Sequence, residues 1–359
     1  MSELLAYCRA GYENDTAAEL TTLTAELGAY GYPVLQANAG FISFNLYDND
    51  SLHKLADTLA VTETVFSRQL VAVTHTLEEI DRQDRITPVL EAVRELAEVI
   101  GVSGNVAVEY ADTEDGKQLA KFCRKFVVPL RQALRGAGFL TKKETQNKPL
   151  VHVFFTDFDS CKVGYSLSHC RNASPMGICR LKFPSEAPSR STLKLEEAIV
   201  TMLTDREREQ VLRAGGRAVD LGACPGGWTY QLVHRDMFVE AVDNGLIAES
   251  LMRTGLVGHF AADGFTYRPQ YGRVDLLVCD MIEQPDRVAK LMGDWLVKNL
   301  AEHAIFNLKL PMKRRYETVT DALTLLRQRL NDAKIAFNLR ARHLYHDRDE
   351  ITVAVVRQE

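Results

Sequence analysis

Ala218-Val219-Asp220-Leu221-Gly222-Ala223-Cys224-Pro225-Gly226-Gly227-Trp228 runs from an apolar strand through a glycine-rich turn straight into a helix. In open α/β sheets such a turn marks a nucleotide site, because helix N-terminal amides and bare glycine backbone face the ligand. A dinucleotide fingerprint would place glycine at 222, 224 and 227, yet residue 224 is Cys. The middle glycine lets backbone approach a pyrophosphate, so its loss argues against NAD or FAD. S-adenosylmethionine fits better. It carries no phosphate, its carboxylate suits a helix N-terminus, and its ribose diol suits a carboxylate at the end of the next strand.

Asp243 stands there, at the end of Phe238-Val239-Glu240-Ala241-Val242, and Asp263 closes the following strand, where it can meet the adenine amino group. A turn-forming Gly-Pro-Gly-Gly with two helix-capping aspartates is the plainer alternative. Three successive strand ends carrying a glycine turn and two carboxylates favour the cofactor.

From residue 192 onward, helical and strand patterns alternate: helix 192–203, strand 216–222, helix 227–235, strands 237–243, 258–262 and 274–280, helix 286–301, strand 303–310 and helix 316–333. A hairpin near 336–345 and 350–357 closes the chain. This order predicts a mostly parallel sheet covered on both faces, with an antiparallel pair at one edge. Upstream, strand 4–10, helix 14–29, a strand pair within 34–47, helix 51–60 and strand 65–73 follow a β-α-β-β-α-β order, which predicts a ferredoxin-like unit. Helices 86–101 and 117–135 with strands 105–110, 150–156 and 161–168 make a second α/β unit. The expected domains are therefore 1–75, 76–170, a proline-containing linker at 171–190, and 191–359.

The composition, 46% hydrophobic and 25% charged over 359 residues, is that of a globular protein with more than one core. No apolar run approaches a membrane span, no signal peptide is evident, and seven cysteines without a C-x-x-C pair argue against disulfides and a zinc site. A reducing, cytoplasmic setting and no bound metal are expected. The net charge of −5 hides an asymmetry. Residues 1–60 hold eight acids against Arg9 and Lys54, whereas 117–150 hold Lys117, Lys121, Arg124, Lys125, Arg131, Arg135, Lys142, Lys143 and Lys148 against Glu144 alone. That basic stretch is either a footprint for phosphates or a solvated helix face.

The fourth strand of the C-terminal half, Val274-Asp275-Leu276-Leu277-Val278-Cys279-Asp280-Met281, narrows the chemistry. It has neither the Asn/Asp-Pro-Pro-aromatic string of amine methyltransferases nor the Pro-Cys pair of RNA cytosine-C5 enzymes. Asp280 points into the cleft instead. Lys194 opens the helix before the cofactor strand, Lys309 ends Ile305-Phe306-Asn307-Leu308-Lys309, and Glu350 begins the last strand. Two lysines and two acids converging on one cleft suit deprotonation of a ribose hydroxyl. A lysine crowded by a second ammonium and partly desolvated is expected to have a lowered pKa and to serve as base.

These residues together resemble the FtsJ-type family of ribose 2′-O-methyltransferases, with its Lys-Asp-Lys-Glu tetrad. The strings that carry the resemblance are the cofactor turn, Pro188-Ser189-Arg190-Ser191-Thr192-Leu193-Lys194-Leu195-Glu196-Glu197-Ala198, Phe306–Lys313 and Leu344–Arg348. The resemblance implies a Rossmann-like class I methyltransferase sheet, Lys194, Asp280, Lys309 and Glu350 as catalytic residues, and Lys309 as proton acceptor. It implies that Ser191, Cys224, Pro225, Gly226, Gly227, Asp243, Asp263 and Asp280 contact S-adenosylmethionine. It further implies a ferredoxin-like plus THUMP-type RNA-binding half, and 23S rRNA, methylated at a cytidine 2′-oxygen, as substrate. Another RNA such as tRNA or mRNA, or a non-catalytic RNA-binding protein on the same fold, are the competing readings.

Overall fold

The computed structural model describes residues 2–358 and divides between Ile178 and Cys179 into two compact units. The first begins with β1 (Glu3–Tyr7), α1 (Glu13–Glu26), β2 (Gly31–Leu35), β3 (Phe41–Leu46), α2 (Asp50–Thr58) and β4 (Gln69–Leu77). These strands lie in the order β2-β3-β1-β4, all antiparallel, which is the ferredoxin-like arrangement expected. Then follow α3 (Ile86–Ile100), β5 (Asn105–Tyr110), α4 (Ala120–Gly136), β6 (Leu150–Phe155) and β7 (Cys161–Ser166).

The sheet does not stop at β4. β7 pairs antiparallel with it, and β6 and β5 complete seven strands. One core runs under both halves, because alternate residues of every pleated strand share a face. Leu20 of α1, Leu55 of α2, Val93 of α3 and Leu130 of α4 all join it, with Ala72 of β4 and Val163 of β7 at the join.

The second unit contains α5 (Thr192–Met202), α6 (Asp205–Val211), β8 (Arg217–Leu221), α7 (Gly227–Val233), β9 (Phe238–Val242), α8 (Glu249–Met252), β10 (Val257–Phe260), β11 (Val274–Cys279), α9 (Pro285–Val297), β12 (Ala301–Lys309), α10 (Arg315–Asp332), β13 (Phe337–Arg342) and β14 (Glu350–Arg357). Its strand order is β10-β9-β8-β11-β12-β14-β13; the first five are parallel and the last two antiparallel. Ala218, Leu276, Val278 and Ile305 pack on one face with Leu195 and Ile199 of α5 and Trp228 and Leu232 of α7. Residues of the other parity, Leu277, Ala304 and Phe306, are equally buried, and α9 packs against β12. The parallel strands all end at one edge, where β14 begins.

α6 is not anticipated by apolar periodicity. Its signal is a capping box, in which the Thr204 side chain accepts from the Glu207 amide while Glu207 accepts from the Thr204 amide. Among the described residues no helix is long and apolar enough to cross a membrane.

The seam between β4 and β7 leaves no space. Gly164 faces Val73 beside an irregularity in β4, and a Cβ there would lie 2.8 Å from the Val73 Cα and against the Ala72 carbonyl oxygen. Gly164→Ala should therefore destabilise the first unit by about 1–3 kcal/mol, the usual cost of overpacking. Denaturant unfolding that separates the two units should show the first transition moved and the second unmoved.

Candidate active site

Lys194 lies in the first turn of α5, Asp280 directly follows β11, Lys309 ends β12 and Glu350 starts β14. Register brings the last two opposite each other, since Lys309 pairs with Glu350 across the β12–β14 ladder. The four side chains meet. The Lys194 Nζ donates to Asp280 Oδ2 at 3.2 Å and lies 2.5 Å from Glu350 Oε1. The Lys309 Nζ donates to Asp280 Oδ1 at 2.5 Å and to Glu350 Oε2. Each ammonium thus bridges both carboxylates, and the cluster is neutral. Glu350 is 6% exposed and Lys309 22%, so the pairing is largely shielded from water.

That arrangement corrects one expectation. Burial alone would lower the Lys309 pKa, but the adjacent Asp280 and Glu350 carboxylates outweigh it and hold the ammonium above its ordinary value. Proximity of Lys194 does not depress Lys309, because the two carboxylates between them dominate.

Behind the tetrad stands a polar chain. The Asn307 amide donates to Asp280 Oδ1 at 3.0 Å, and its carbonyl oxygen accepts from the Thr352 hydroxyl at 2.8 Å. Thr352 Oγ1 also lies 3.0 Å from Asp347 Oδ2. Asp347 is fully buried, and burial together with the Glu350 charge pushes its carboxyl well above the usual range. The Thr352 hydroxyl thus sits between the Asn307 carbonyl oxygen and the Asp347 carboxyl, with the Asn307 nitrogen turned to Asp280. Glu197 of α5 accepts the amides of Tyr345 and His346, each at 2.9 Å, and His346 Nδ1 lies 2.6 Å away. It anchors the loop from which Glu350 emerges.

A cleft of about 620 Å³ opens beside the tetrad, lined by Gly222, Cys224, Asp243, Asp263, Asp280, Met281 and Ile282 among others. Gly222 has φ +81° and Gly226 φ +115°, and a Cβ at Gly222 would come within 2.8 Å of Met281 Cγ. Asp243 is pinned by the amides of Cys224 at 3.1 Å and Gly245 at 2.8 Å, and Asp263 Oδ1 accepts from the Phe265 amide at 2.9 Å. Ser191, Pro225, Gly226 and Gly227 do not line this cleft; Ser191 Oγ instead lies against Gly227 and 2.6 Å from Ser189 Oγ, where the turn enters α7. Four carboxylates, Asp243, Asp263, Asp280 and Glu283, line the cleft against the one guanidinium of Arg287, a net negative lining that disfavours a pyrophosphate and suits a cationic sulfonium nucleoside with a free diol. The residues fit S-adenosylmethionine.

Sequence reading passed over four residues. Asn307, Thr352 and Asp347 had one signal, polar side chains inside or beside strands that are otherwise apolar and buried. The fourth is Asp220, at the heart of the turn motif. It is fully buried, accepts from the Thr229 hydroxyl at 2.7 Å, and has its other oxygen without a hydrogen-bond partner. Burial, with the Asp280 and Asp243 charges, pushes its carboxyl up to about 7.

The chain matches three families: the RlmM ferredoxin-like domain over residues 1–71, the N-terminal domain of ribosomal RNA large subunit methyltransferase M over 84–167, and FtsJ-like methyltransferase over 187–325. The second unit is thus of the FtsJ-like methyltransferase class. Across the full length, the protein named ribosomal RNA large subunit methyltransferase M in Alteromonas mediterranea is 62% identical over 99% of this chain and 98% of its own, and that of Pseudoalteromonas atlantica is 50% identical over 98% of each. TrmN of Thermus thermophilus, a solved structure, aligns over 100% of both chains at 15% identity and TM-score 0.36. The chain belongs to the ribosomal RNA large subunit methyltransferase M family.

A carboxyl whose pKa is raised in the fold is neutral there while the unfolded chain ionises near pH 4, so stability falls as pH rises from about 4 towards 7. Asp220→Asn should remove that fall. The gap in melting temperature between variant and wild type should widen in the variant's favour from pH 5 to pH 8, and a constant gap would mean Asp220 is ionised throughout.

Proposed function

We propose that this protein transfers a methyl group from S-adenosylmethionine to the 2′-hydroxyl of a cytidine in 23S rRNA, with Lys309 as proton acceptor. The observation that carries the reading is the closed cluster of Lys194, Asp280, Lys309 and Glu350 beside an acidic cleft. Bound S-adenosylmethionine supplies an electrophilic methyl on a positively charged sulfur. Asp243 would hold its ribose diol, Asp263 its adenine amino group, and the turn Cys224–Gly227 with Ser191 its methionine end.

The chain's own residues do the rest. Neutral Lys309 accepts the hydroxyl proton, and Asp280 and Glu350 hold the resulting ammonium. Lys194 neutralises the same carboxylates, and Asn307, bonded to Asp280, keeps that carboxylate aimed. Because the carboxylates favour the charged lysine, the rate follows the small neutral fraction of Lys309. No metal is invoked.

The division proposed for the chain is a ferredoxin-like domain at 1–75, a THUMP-type RNA-binding domain at 76–170, a linker at 171–190 and the catalytic domain at 191–359. The first two hold RNA through the basic stretch at 117–148. Cys123, Phe126, Leu130 and Leu134 bury one side of α4, while Lys121, Arg124 and Lys125 are exposed. A ribosomal substrate places the reaction in the cytoplasm. Mapping ribose methylation in total RNA from cells with and without the protein tests the whole reading.

Lys309→Ala should lower turnover by about 10²–10⁴-fold, the range for loss of a general base, with cofactor affinity by calorimetry within a few fold. In the wild type, turnover should rise with pH through neutrality into the alkaline range. Glu350→Gln removes one charge that holds the proton on Lys309, so the limb should move to lower pH by about 1 unit even as the maximum falls. A limb that stays put would take Lys309 out of the role.

Reversing the charge at Lys121, Arg124 and Lys125 together should weaken rRNA binding and flatten its salt dependence, as fewer counterions are released. Cofactor affinity should not change. Equal binding at two salt concentrations would make the basic face merely solvated.

A further inference from the structure

The carboxyl edge of the second sheet is divided by charge. On the side of β9, β10 and β11 stand Asp243, Asp263, Asp280 and Glu283, which line the cofactor cleft together with one cation, Arg287, itself paired with Glu283 at 2.6 Å, so the side keeps a net negative charge. On the far side of the tetrad, β12 runs into Leu310-Pro311-Met312-Lys313-Arg314 before α10 begins. Lys313 and Arg314 are exposed, and Arg314 has φ 58° and a surface pair with Glu317 at 3.0 Å. An exposed pair of that kind is worth little and exchanges readily for another anion.

Two large apolar side chains flank the reactive centre. Ile282, two residues beyond Asp280, is 90% exposed; Met312, three beyond Lys309, is 91% exposed. β11 and β12 are adjacent and parallel, so the two loops leave the sheet at the same edge, one directly after Asp280 and one directly after Lys309, and Ile282 stands at the mouth of the cofactor cleft. Single exposed apolar residues are ordinary. Two of them on the loops that follow Asp280 and Lys309, one in a cationic loop, are not accounted for by folding.

We propose that Ile282 and Met312 receive the base of the target nucleotide and that Lys313 and Arg314 take its flanking phosphates, so the substrate is RNA unpaired at the methylated position. The inference rests on the ribose-methylation reading above and adds the form of the substrate. Depth is the physical reason. The tetrad side chains are between 6% and 22% exposed, so the hydroxyl must enter a recess. A nucleotide splayed out of a strand can enter, its base resting on the apolar rim, whereas a paired one is held in the helical stack. Charge order supports it, because phosphates are drawn to the β12 side and repelled from the acidic cofactor side.

The test uses full-length protein and unmodified 23S rRNA transcribed in vitro. Met312→Ala should raise KM for the transcript about five-fold, a loss in the lower part of the range for base-stacking contacts. Its cofactor affinity and melting temperature should match wild type. Lys313→Ala with Arg314→Ala should lower the log–log salt slope of binding by about 1.4, the release expected for two phosphates on a single strand. Annealing a complementary DNA oligonucleotide over the mapped nucleotide should suppress methylation at least about ten-fold, as expected when extrusion must first break pairing. Wild-type kinetics and slope in both variants, or equal methylation of the annealed target, overturn the proposal. If the wild type leaves the transcript unmethylated, the 23S reading fails by itself. The rim is then judged on binding to the same transcript, where a shallower slope supports it and an equal slope overturns it.

Discussion

Two ammonium groups and two carboxylates closed into one neutral, half-buried cluster are the constraint on which the second unit is built. Any one of these charges alone would be costly to withdraw from water; together they satisfy one another. The cluster requires one residue from each of four elements, and three of those are neighbouring strands that meet at the same edge, β11 and β12 ending there and β14 beginning. The parallel order β8-β11-β12 and the antiparallel return of β14 are what deliver them. Removing one partner leaves an uncompensated charge, so the tetrad is a structural unit as well as a chemical one.

The supporting chain of Asp347, Thr352 and Asn307 follows from the same need. Asp280 must face both lysines in one orientation, and the hydrogen bond from Asn307 behind it holds it there. Burial and the neighbouring Glu350 charge raise the Asp347 carboxyl, which disfavours a third negative charge beside Asp280 and Glu350. Asp220 repeats the pattern beneath the cofactor turn, a carboxyl that burial pushes towards neutrality beside the ionisable residues of the cleft.

The glycine turn, the strand-end aspartates and the tetrad were legible because each sits where an apolar run stops, and strand ends converge in a parallel sheet. Asn307, Thr352 and Asp347 were not. Their function depends on which neighbours they meet across β12 and β14, and register is not written in either strand alone. The Lys309 pKa was misjudged for a related reason. Sequence shows that another lysine is near, but only separation shows that both carboxylates are nearer. α6 was missed because a seven-residue helix carries too little periodicity, although Thr204 and Glu207 spell out its start.

The seam between β4 and β7 has a consequence for how the first unit is handled. Residues 1–75 and 76–170 read as two domains, yet they share a sheet and a core. The 75/76 division itself falls inside β4 (Gln69–Leu77), and a cut moved beyond its end would still leave that strand with bare amides and carbonyls along one side, and β7 likewise. Open edges of that length recruit whatever strand they meet, including another copy of the same fragment. Neither half is therefore separable as it stands: excised, each would tend to self-associate through its open edge.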